Sequence, residues 1–484
     1  MKSNIFKRGF AALIATQFFG AANDNILKGV LIFMLANGLW QGALGAGGQG
    51  WASALFTLPF IFLSGYAGRF ADRHSKRSVT VLVKCIEIPI ALIGMVGFWM
   101  QNLWITLGAL IALACQSAFF GPAKYGMIPE LVEKRDLSRA NGAINMMTNI
   151  AVIVGTLAAG QIAVAYFPND EAPQKPLLCT GVTPDETPSQ ALPNDEAPQK
   201  PLLGTGVTPG ETPSQALPND EAPQKPLLWL PGVIMILVAI AGLVCSLLLP
   251  RLKEGDKSIQ YELNPFTTYI SSLKEMNGTP LFTVMFSWAY FYLLAGLALL
   301  AIPDYEAVLE SYDVDAAEVA VLMGVMGIAI GLGCVLAGLI SGHAIRPRLI
   351  LVGAAGLIFF FAMLGMLPAQ LPDLPRYWRV LFSWISFAIV GAGIFAGFYI
   401  IPLQAMLQRL TPEDELGRYL GTANGLSFTF ILLASLLYSL LLNFVFPHDQ
   451  AQRTFLVCAI LMAIGLPFFI WRVKARGFSF DRFE

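Results

Sequence analysis

The chain has 484 residues, 56% of them hydrophobic and only 13% charged, with a mean hydropathy of +0.62. A soluble domain carries about 25% charged residues, so the composition excludes a soluble globular protein and indicates an all-α, polytopic membrane protein. The net charge of −1 says little, because in such a protein the placement of charge matters and the sum does not; no nucleic-acid partner is expected.

Apolar runs long enough to cross ~30 Å of hydrocarbon predict twelve transmembrane helices. They fall near residues 9–38, 51–68, 79–100, 103–122, 141–167 and 229–250, then 281–303, 317–342, 348–368, 379–401, 420–445 and 454–471. No signal peptide is expected, since MKSNIFKRGF runs straight into a segment too long for an h-region. Lys and Arg concentrate in the segments on the N-terminal side, among them Arg69, Arg73, Lys76, Arg77, Lys134, Arg135 and Arg139. The opposite loops hold only Lys175, Lys200, Lys225, Arg376, Arg379 and Arg453. By the positive-inside rule both termini of this multi-pass membrane protein are expected to be cytoplasmic. Cys85, Cys115, Cys245, Cys334 and Cys458 lie in apolar segments and read as packing residues; only Cys179 is in a polar stretch.

The first span carries a polar break, FFGAANDNILKG, Phe18 to Gly29. Ionisable groups inside a membrane are costly and face a cavity or a partner. Asp24 and Lys28 share a face at i, i+4 spacing and can pair. Asn23 and Asn25 flank Asp24, Gln17 lies two turns earlier, and Gly20 allows a local break. A carboxylate beside amide oxygens suits a hard cation such as Na⁺; a carboxylate held out of water serves equally as a proton carrier. Both remain open. Lys84 and Glu87 have the pairing option at i, i+3. Lys124 sits in FFGPAKYGMIPEL, where Gly121 and Pro122 are expected to interrupt span four. It suits an anionic phosphate or carboxylate, or it snorkels to the nearby interface.

Between spans five and six PNDEAPQKPLL occurs three times, starting at Pro168, Pro193 and Pro218. This proline density excludes a continuous helix, and the insert reads as an extended periplasmic loop. The expected organisation is residues 1–167 with spans one to five, the insert at 168–228, span six at 229–250, a cytoplasmic linker at 251–280, and spans seven to twelve within 281–484.

GRFADRHSKRSVT, Gly68 to Thr80, resembles the loop signature of the major facilitator superfamily, with Phe70 in its apolar slot and Ser75 in place of its second glycine. In that loop Gly68 permits close helix approach. Asp72 can accept from backbone N–H groups at a facing helix N-terminus, and Arg73, Lys76 and Arg77 anchor the loop. GLISGHAIRPR, Gly338 to Arg348, is a degraded second copy in which Gly342 and His343 stand where the first has Asp72 and Arg73. Leu137, Arg139, Gly142 and Asn145 are likewise echoed by Leu416, Arg418, Gly421 and Asn424. The resemblance implies two six-helix halves with a midplane cavity between them.

Asp24-Asn25 after Gln17-Phe18, with Pro122-Ala123-Lys124-Tyr125-Gly126 and Arg139-Ala140-Asn141-Gly142, resemble the bacterial lysophospholipid transporter family. The resemblance implies a flippase, not an enzyme. It would move lysophospholipids such as lysophosphatidylethanolamine from the outer to the inner leaflet, coupled to Na⁺ or H⁺, as a monomer serving a separate acyltransferase. It makes Asp24 a functional candidate, with Asn23, Asn25, Lys28, Gln17, Lys84, Glu87, Lys124, Tyr125 and Asn145 as candidate substrate- or ion-binding residues. The family often has an arginine in span seven, whereas FSWAYFYLLAGLALLAIPDY, Phe286 to Tyr305, has none; Lys124, or Lys84 with Glu87, would bind the headgroup instead. The alternatives are a proton-coupled exporter of drugs or amphipathic metabolites, a membrane acyltransferase and a non-transporting scaffold. The acyltransferase lacks its His and Asp pair, because His74, His343 and His448 are followed at +5 by Val79, Arg348 and Arg453.

Overall fold

The computed structural model describes residues 8–36, 48–166, 227–260, 264–314 and 316–475. The repeat insert, apart from its last two residues, lies outside them, as do Lys2, Lys7, Arg476 and Arg482 near the termini. Among the described residues are twelve long helices. The first half has α1 (Arg8–Ala36), α2 (Gly48–Arg73), α3 (Lys76–Trp99), α4 (Leu103–Leu131), α5 (Leu137–Tyr166) and α6 (Leu230–Leu247). The second has α7 (Pro280–Ala301), α8 (Ala316–Ser341), α9 (Arg348–Met366), α10 (Trp384–Leu410), α11 (Leu416–Phe444) and α12 (Arg453–Ala475). All except α2 are long and apolar enough to cross a membrane by length and hydropathy. Most are apolar nearly all round, as helices in lipid must be.

Helix ends follow local chemistry. Asn102 accepts from the N–H groups of Trp104 (3.0 Å) and Ile105 (3.1 Å), which starts α4 two residues after the last turn of α3. Span ten begins later than expected: Arg379 is drawn to Glu318 on α8, and Ser383 then caps Ser386 N–H at 3.2 Å. Span four is not interrupted at Gly121-Pro122. The helix continues through Pro122 and Pro129 to Leu131, which places Lys124 inside it. Likewise α1 runs unbroken through Gly20.

The two halves repeat one packing scheme. In the first, α1 packs on α5 and α6, α4 on α2 and α3, and α3 on α6. In the second, α7 packs on α11 and α12, α10 on α8 and α9, and α9 on α12. The seams between the halves are equivalent as well, α2 against α11 and α5 against α8. At one seam Gly68 faces the backbone of Gly417 and Arg418, and Gly421 faces Ser64 O. At the other Gly338 faces Ser138 and Arg139, and Gly142 faces Cys334 O. A Cβ at Gly68, Gly421 or Gly142 would strike backbone, and one at Gly338 would press on it at 3.1 Å, so these glycines set the closeness of the approach.

A linker helix, Pro265–Met276, joins the halves and lies along α2 and α11. Its Tyr269 hydroxyl donates to Ile61 O (2.7 Å) and accepts from Gly65 N–H (2.9 Å), so it enters the i to i−4 ladder of α2. Gly425 on α11 leaves the room for that ring.

Candidate substrate cavity

A cavity of about 230 Å³ lies between the halves. Helices α1 to α4 contribute Gln17, Asp24, Lys84, Ser117, Lys124 and Tyr125. The facing wall from α7, α10 and α11 contributes Trp288, Tyr292, Gln404, Asn424, Ser427 and Phe428. Every acid and amine on the lining therefore comes from the first half. The second half supplies an aromatic and aliphatic wall with neutral polar groups, where Trp288 Nε1–H donates to Ser427 Oγ at 3.0 Å. Phe60 of α2 stacks on Phe428 with centroids 4.1 Å apart.

Asp24 is half-buried and accepts from Ser117 Oγ on α4 at 3.0 Å. Behind it is a dense buried network. Lys84 Nζ lies 2.6 Å from Glu87 Oε2, with both side chains at most 2% exposed. Glu87 Oε1 accepts from Asn23 Nδ2 (2.8 Å), and Glu87 Oε2 from Gln116 Nε2 (3.3 Å). Gly20 creates the space beside α1 that the Lys84 ammonium occupies, and a side chain there would collide with it. Asn23 Oδ1 is buried with no hydrogen-bond partner.

Lys124 is 8% exposed, and its ammonium lies 4.3 Å from the Tyr125 ring centroid and 5.7 Å from that of Phe120. Among the described residues no carboxylate pairs with it. It is held by ring faces and points into the cavity rather than snorkelling.

Other sequence candidates lie elsewhere. Lys28 lies over the Phe56 ring at 5.4 Å, outside the cavity lining. Asn25 Nδ2 returns to Ala21 O at 2.7 Å. The amides expected to surround Asp24 are thus turned away, Asn23 to Glu87 and Asn25 to its own helix, while Gln17 Nε2 donates to Thr148 Oγ1 at 2.9 Å. Asn145 crosses between the halves, donating to Gln404 Oε1 at 2.8 Å. Its echo Asn424 donates to Ser64 Oγ at 2.8 Å.

The cavity is shut on the side of the basic loops. Asp72 Oδ1 and Oδ2 accept from the N–H groups of Gly417 and Arg418, both at 2.6 Å, at the N-terminus of α11. Around it, Arg73 Nη1 donates to Ile259 O (2.7 Å), Lys76 pairs with Glu130 (2.7 Å), and Arg77 Nε donates to Leu249 O (2.8 Å). Arg418 pairs with Glu275 of the linker helix. Asn141 Nδ2 of α5 donates to Gln408 Oε1 of α10, also between the halves, at 2.6 Å. In the degraded copy α8 ends at Ser341, and Gly342 takes a φ of +62°. There the pairing is made by His343 Nδ1 and Asp136 Oδ1, 3.1 Å apart.

Ser117, Gln116, Gln404 and Gln408 were not picked out from the sequence. Gln404 and Gln408, at i, i+4 within the apolar run around Pro402, carried a signal as polar residues on one face of a span.

Sequence and fold comparisons agree with this architecture. Solved structures of similar fold include the Escherichia coli fucose:proton symporter (11% identity, TM-score 0.64, covering 95% of this chain and 98% of that one). Another is a bacterial homologue of the iron transporter ferroportin in an outward-facing state (14%, TM-score 0.61, covering 97% and 100%). Two curated relatives carry the name lysophospholipid transporter LplT. That of Yersinia enterocolitica is 27% identical over 165 residues, which is 33% of this chain and 37% of the relative. That of Pectobacterium carotovorum is 30% identical over 162 residues, 33% and 37%. The match thus spans little more than a third of these relatives. The family profile described as Major Facilitator Superfamily matches residues 13–168 and 225–428. With paired halves, equivalent glycine seams and a cavity between them, this membrane transporter belongs to the Major Facilitator Superfamily.

Proposed function

We propose that this chain is a flippase that moves lysophospholipids, such as lysophosphatidylethanolamine, from the outer to the inner leaflet of the bacterial cytoplasmic membrane by alternating access. The observation that carries the reading is Lys124, a buried ammonium with no carboxylate partner among the described residues, facing an aromatic and aliphatic wall across a cavity between the halves. A lysophospholipid has the complementary shape, one phosphate and one apolar tail. At about 230 Å³ the cavity is below the ~300 Å³ at which drug-sized sites begin. It accommodates the headgroup in this state, and the tail lies along the second-half wall or in lipid. The LplT-named relatives support the substrate class.

Asp24, at the cavity edge with one hydroxyl donor, is the coupling carboxylate. Its place on the cavity lining beside a single hydroxyl donor suits reversible protonation, and the proton is the coupling ion of this reading. The basic loops put both termini in the cytoplasm, and the delivered lysolipid is substrate for a separate acyltransferase.

The test is uptake of fluorescent lysophosphatidylethanolamine into proteoliposomes under imposed H⁺ or Na⁺ gradients, comparing wild type with Lys124→Gln and Asp24→Asn. A proton gradient is expected to drive wild-type uptake, Lys124→Gln to raise KM, and Asp24→Asn to abolish gradient-driven uptake. Correctly inserted wild-type protein that moves no lysolipid would refute the substrate. Uptake that follows only the Na⁺ gradient would refute the proton.

A further inference from the structure

A second cavity, of about 280 Å³, lies away from the centre of the molecule, between α7 and α12 with Tyr399 of α10 near its floor. No residue of the central cavity lines it. Its walls are Phe282, Phe286 and Tyr290 from α7, and Ile464, Phe468 and Phe469 from α12. Thr283 and Ser287 lie deeper and Arg472 stands at one end. Ile464, Phe468 and Phe286 are 66%, 54% and 41% exposed, so the groove opens sideways, toward the surface the hydrocarbon covers.

Its depth follows from the helix directions. Both α7 at its start and α12 at its end lie on the basic-loop side, and the lining runs from Phe282 to Tyr290 and from Arg472 back to Ile464. Each stretch rises about 12 Å, most of the ~15 Å half-thickness of the hydrocarbon. Arg472 is therefore at headgroup level in the leaflet on that side, next to Trp471, which is 60% exposed and suited to the interface. Among the described residues no carboxylate pairs with Arg472. Gly465 keeps the groove open, since a Cβ there would meet the Tyr290 ring at 2.8 Å. Tyr290 is itself pinned by its hydroxyl donating to Leu461 O at 2.7 Å.

We infer that this groove is a binding site for a glycerophospholipid of the leaflet on the basic-loop side, with its phosphate on Arg472 and one acyl chain between α7 and α12. Charge complementarity selects the occupant: a guanidinium at headgroup depth that no carboxylate pairs with among the described residues binds phosphate bidentately, and the aromatic groove below it takes a chain. The site is separate from the transport reading and stands or falls without it.

The test uses the full-length protein in nanodiscs that contain phosphatidylglycerol with a photoactivatable group in one acyl chain, followed by peptide mapping of the adducts. A diacylglycerol probe of the same chain length is run in parallel. Adducts are expected on Phe286, Tyr290 and Phe468. Arg472→Gln is expected to reduce them about fivefold, as one basic group at the surface would, and Arg472→Lys to restore most of the labelling. The diacylglycerol probe should label wild type as weakly as phosphatidylglycerol labels Arg472→Gln. Adducts spread evenly over the lipid-facing sides of α3 and α9, or unaffected by Arg472→Gln, would overturn the site. Equal labelling by diacylglycerol would overturn the role of phosphate.

Discussion

Asp72 is where the shut side of the protein is most open to a quantitative test. Its two carboxylate oxygens each accept a backbone N–H at 2.6 Å from the first residues of α11, across the seam between the halves. Asp72→Asn keeps the shape but removes the charge, one of the two acceptors and the interaction with the helix N-terminus. A hydrogen bond to a charged group contributes about 1.5–3 kcal/mol and a charge at a helix N-terminus about 0.3–1 kcal/mol. The amide recovers part of the first term. The net loss is about 2 kcal/mol, roughly a 30-fold shift away from the shut state. Spin labels at Glu133, before α5, and Asp414, before α11, are both exposed and on opposite halves. Double electron–electron resonance is expected to show a single short distance in wild type and a substantial longer population in Asp72→Asn. Identical distance distributions in two folded proteins would refute the latch.

Two further substitutions test how the polar interior is built. Lys84→Met strands the Glu87 carboxylate in a site 1% exposed and is expected to cost about 3–5 kcal/mol. The double variant Lys84→Met/Glu87→Gln, which removes the stranded charge and keeps one carbonyl acceptor for Asn23 while Gln116 retains Val83 O, should recover much of it, as thermal unfolding in detergent would show; equal melting of single and double variants would contradict a charge-pair role. Tyr269→Phe removes a hydroxyl that bonds both Ile61 O and Gly65 N–H. Those two groups can bond each other directly in a regular helix, so the loss of stability should stay below about 1 kcal/mol while α2 straightens. A loss of several kcal/mol would show that the inserted geometry is enforced by more than this hydroxyl.

Hydropathy and repeated motifs made the architecture legible. The span pattern placed the helices, and the echo of Leu137, Arg139, Gly142 and Asn145 in Leu416, Arg418, Gly421 and Asn424 marks residues at equivalent seams. Asp72 was legible as a partner for a helix N-terminus because its charge sits in a tight loop after a glycine. The surroundings of Asp24 were not. Successive residues of an unbroken helix point about 100° apart, so Asn23, Asp24 and Asn25 fan out toward Glu87, Ser117 and Ala21 instead of forming one shell. A local break at Gly20 would have been needed to gather them. Ser117, Gln116 and Gln404 escaped notice because a neutral polar residue in a span is ordinary, and its importance depends on what a distant helix brings within 3 Å or so. The end of span four was misplaced for a related reason: Pro122 removes one helix bond, but a membrane helix packed among neighbours tolerates that loss.

The two seams are equivalent in backbone but not in chemistry, and that difference sets how the shut side opens. At the α2–α11 seam the carboxylate of Asp72 is 5% exposed and bound by two backbone donors. At the α5–α8 seam the helix stops one residue short of the corresponding position. Gly342, at a φ of +62°, presents no side chain, and the replacement pair joins Asp136 to a histidine whose side chain is 52% exposed. Asp136 is itself 1% exposed and also meets Arg139 at 3.5 Å, but solvent screening on the histidine side limits this pair to about 1 kcal/mol, against the ~2 kcal/mol assigned to Asp72. The Asn141–Gln408 and Asn145–Gln404 hydrogen bonds join α5 to α10 beside the α5–α8 seam, each a neutral bond worth about 1 kcal/mol, and Asn424–Ser64 offsets one of them at the α2–α11 seam. If the halves rock as proposed, the weaker charged contact is expected to part first, so that α5 and α8 separate while the α2–α11 contact holds until Asp72 lets go. Label pairs placed across each seam should show a state in which the α5–α8 pair has separated and the α2–α11 pair has not. The reverse order would mean that the glycine contacts, not the charged latch, govern the motion.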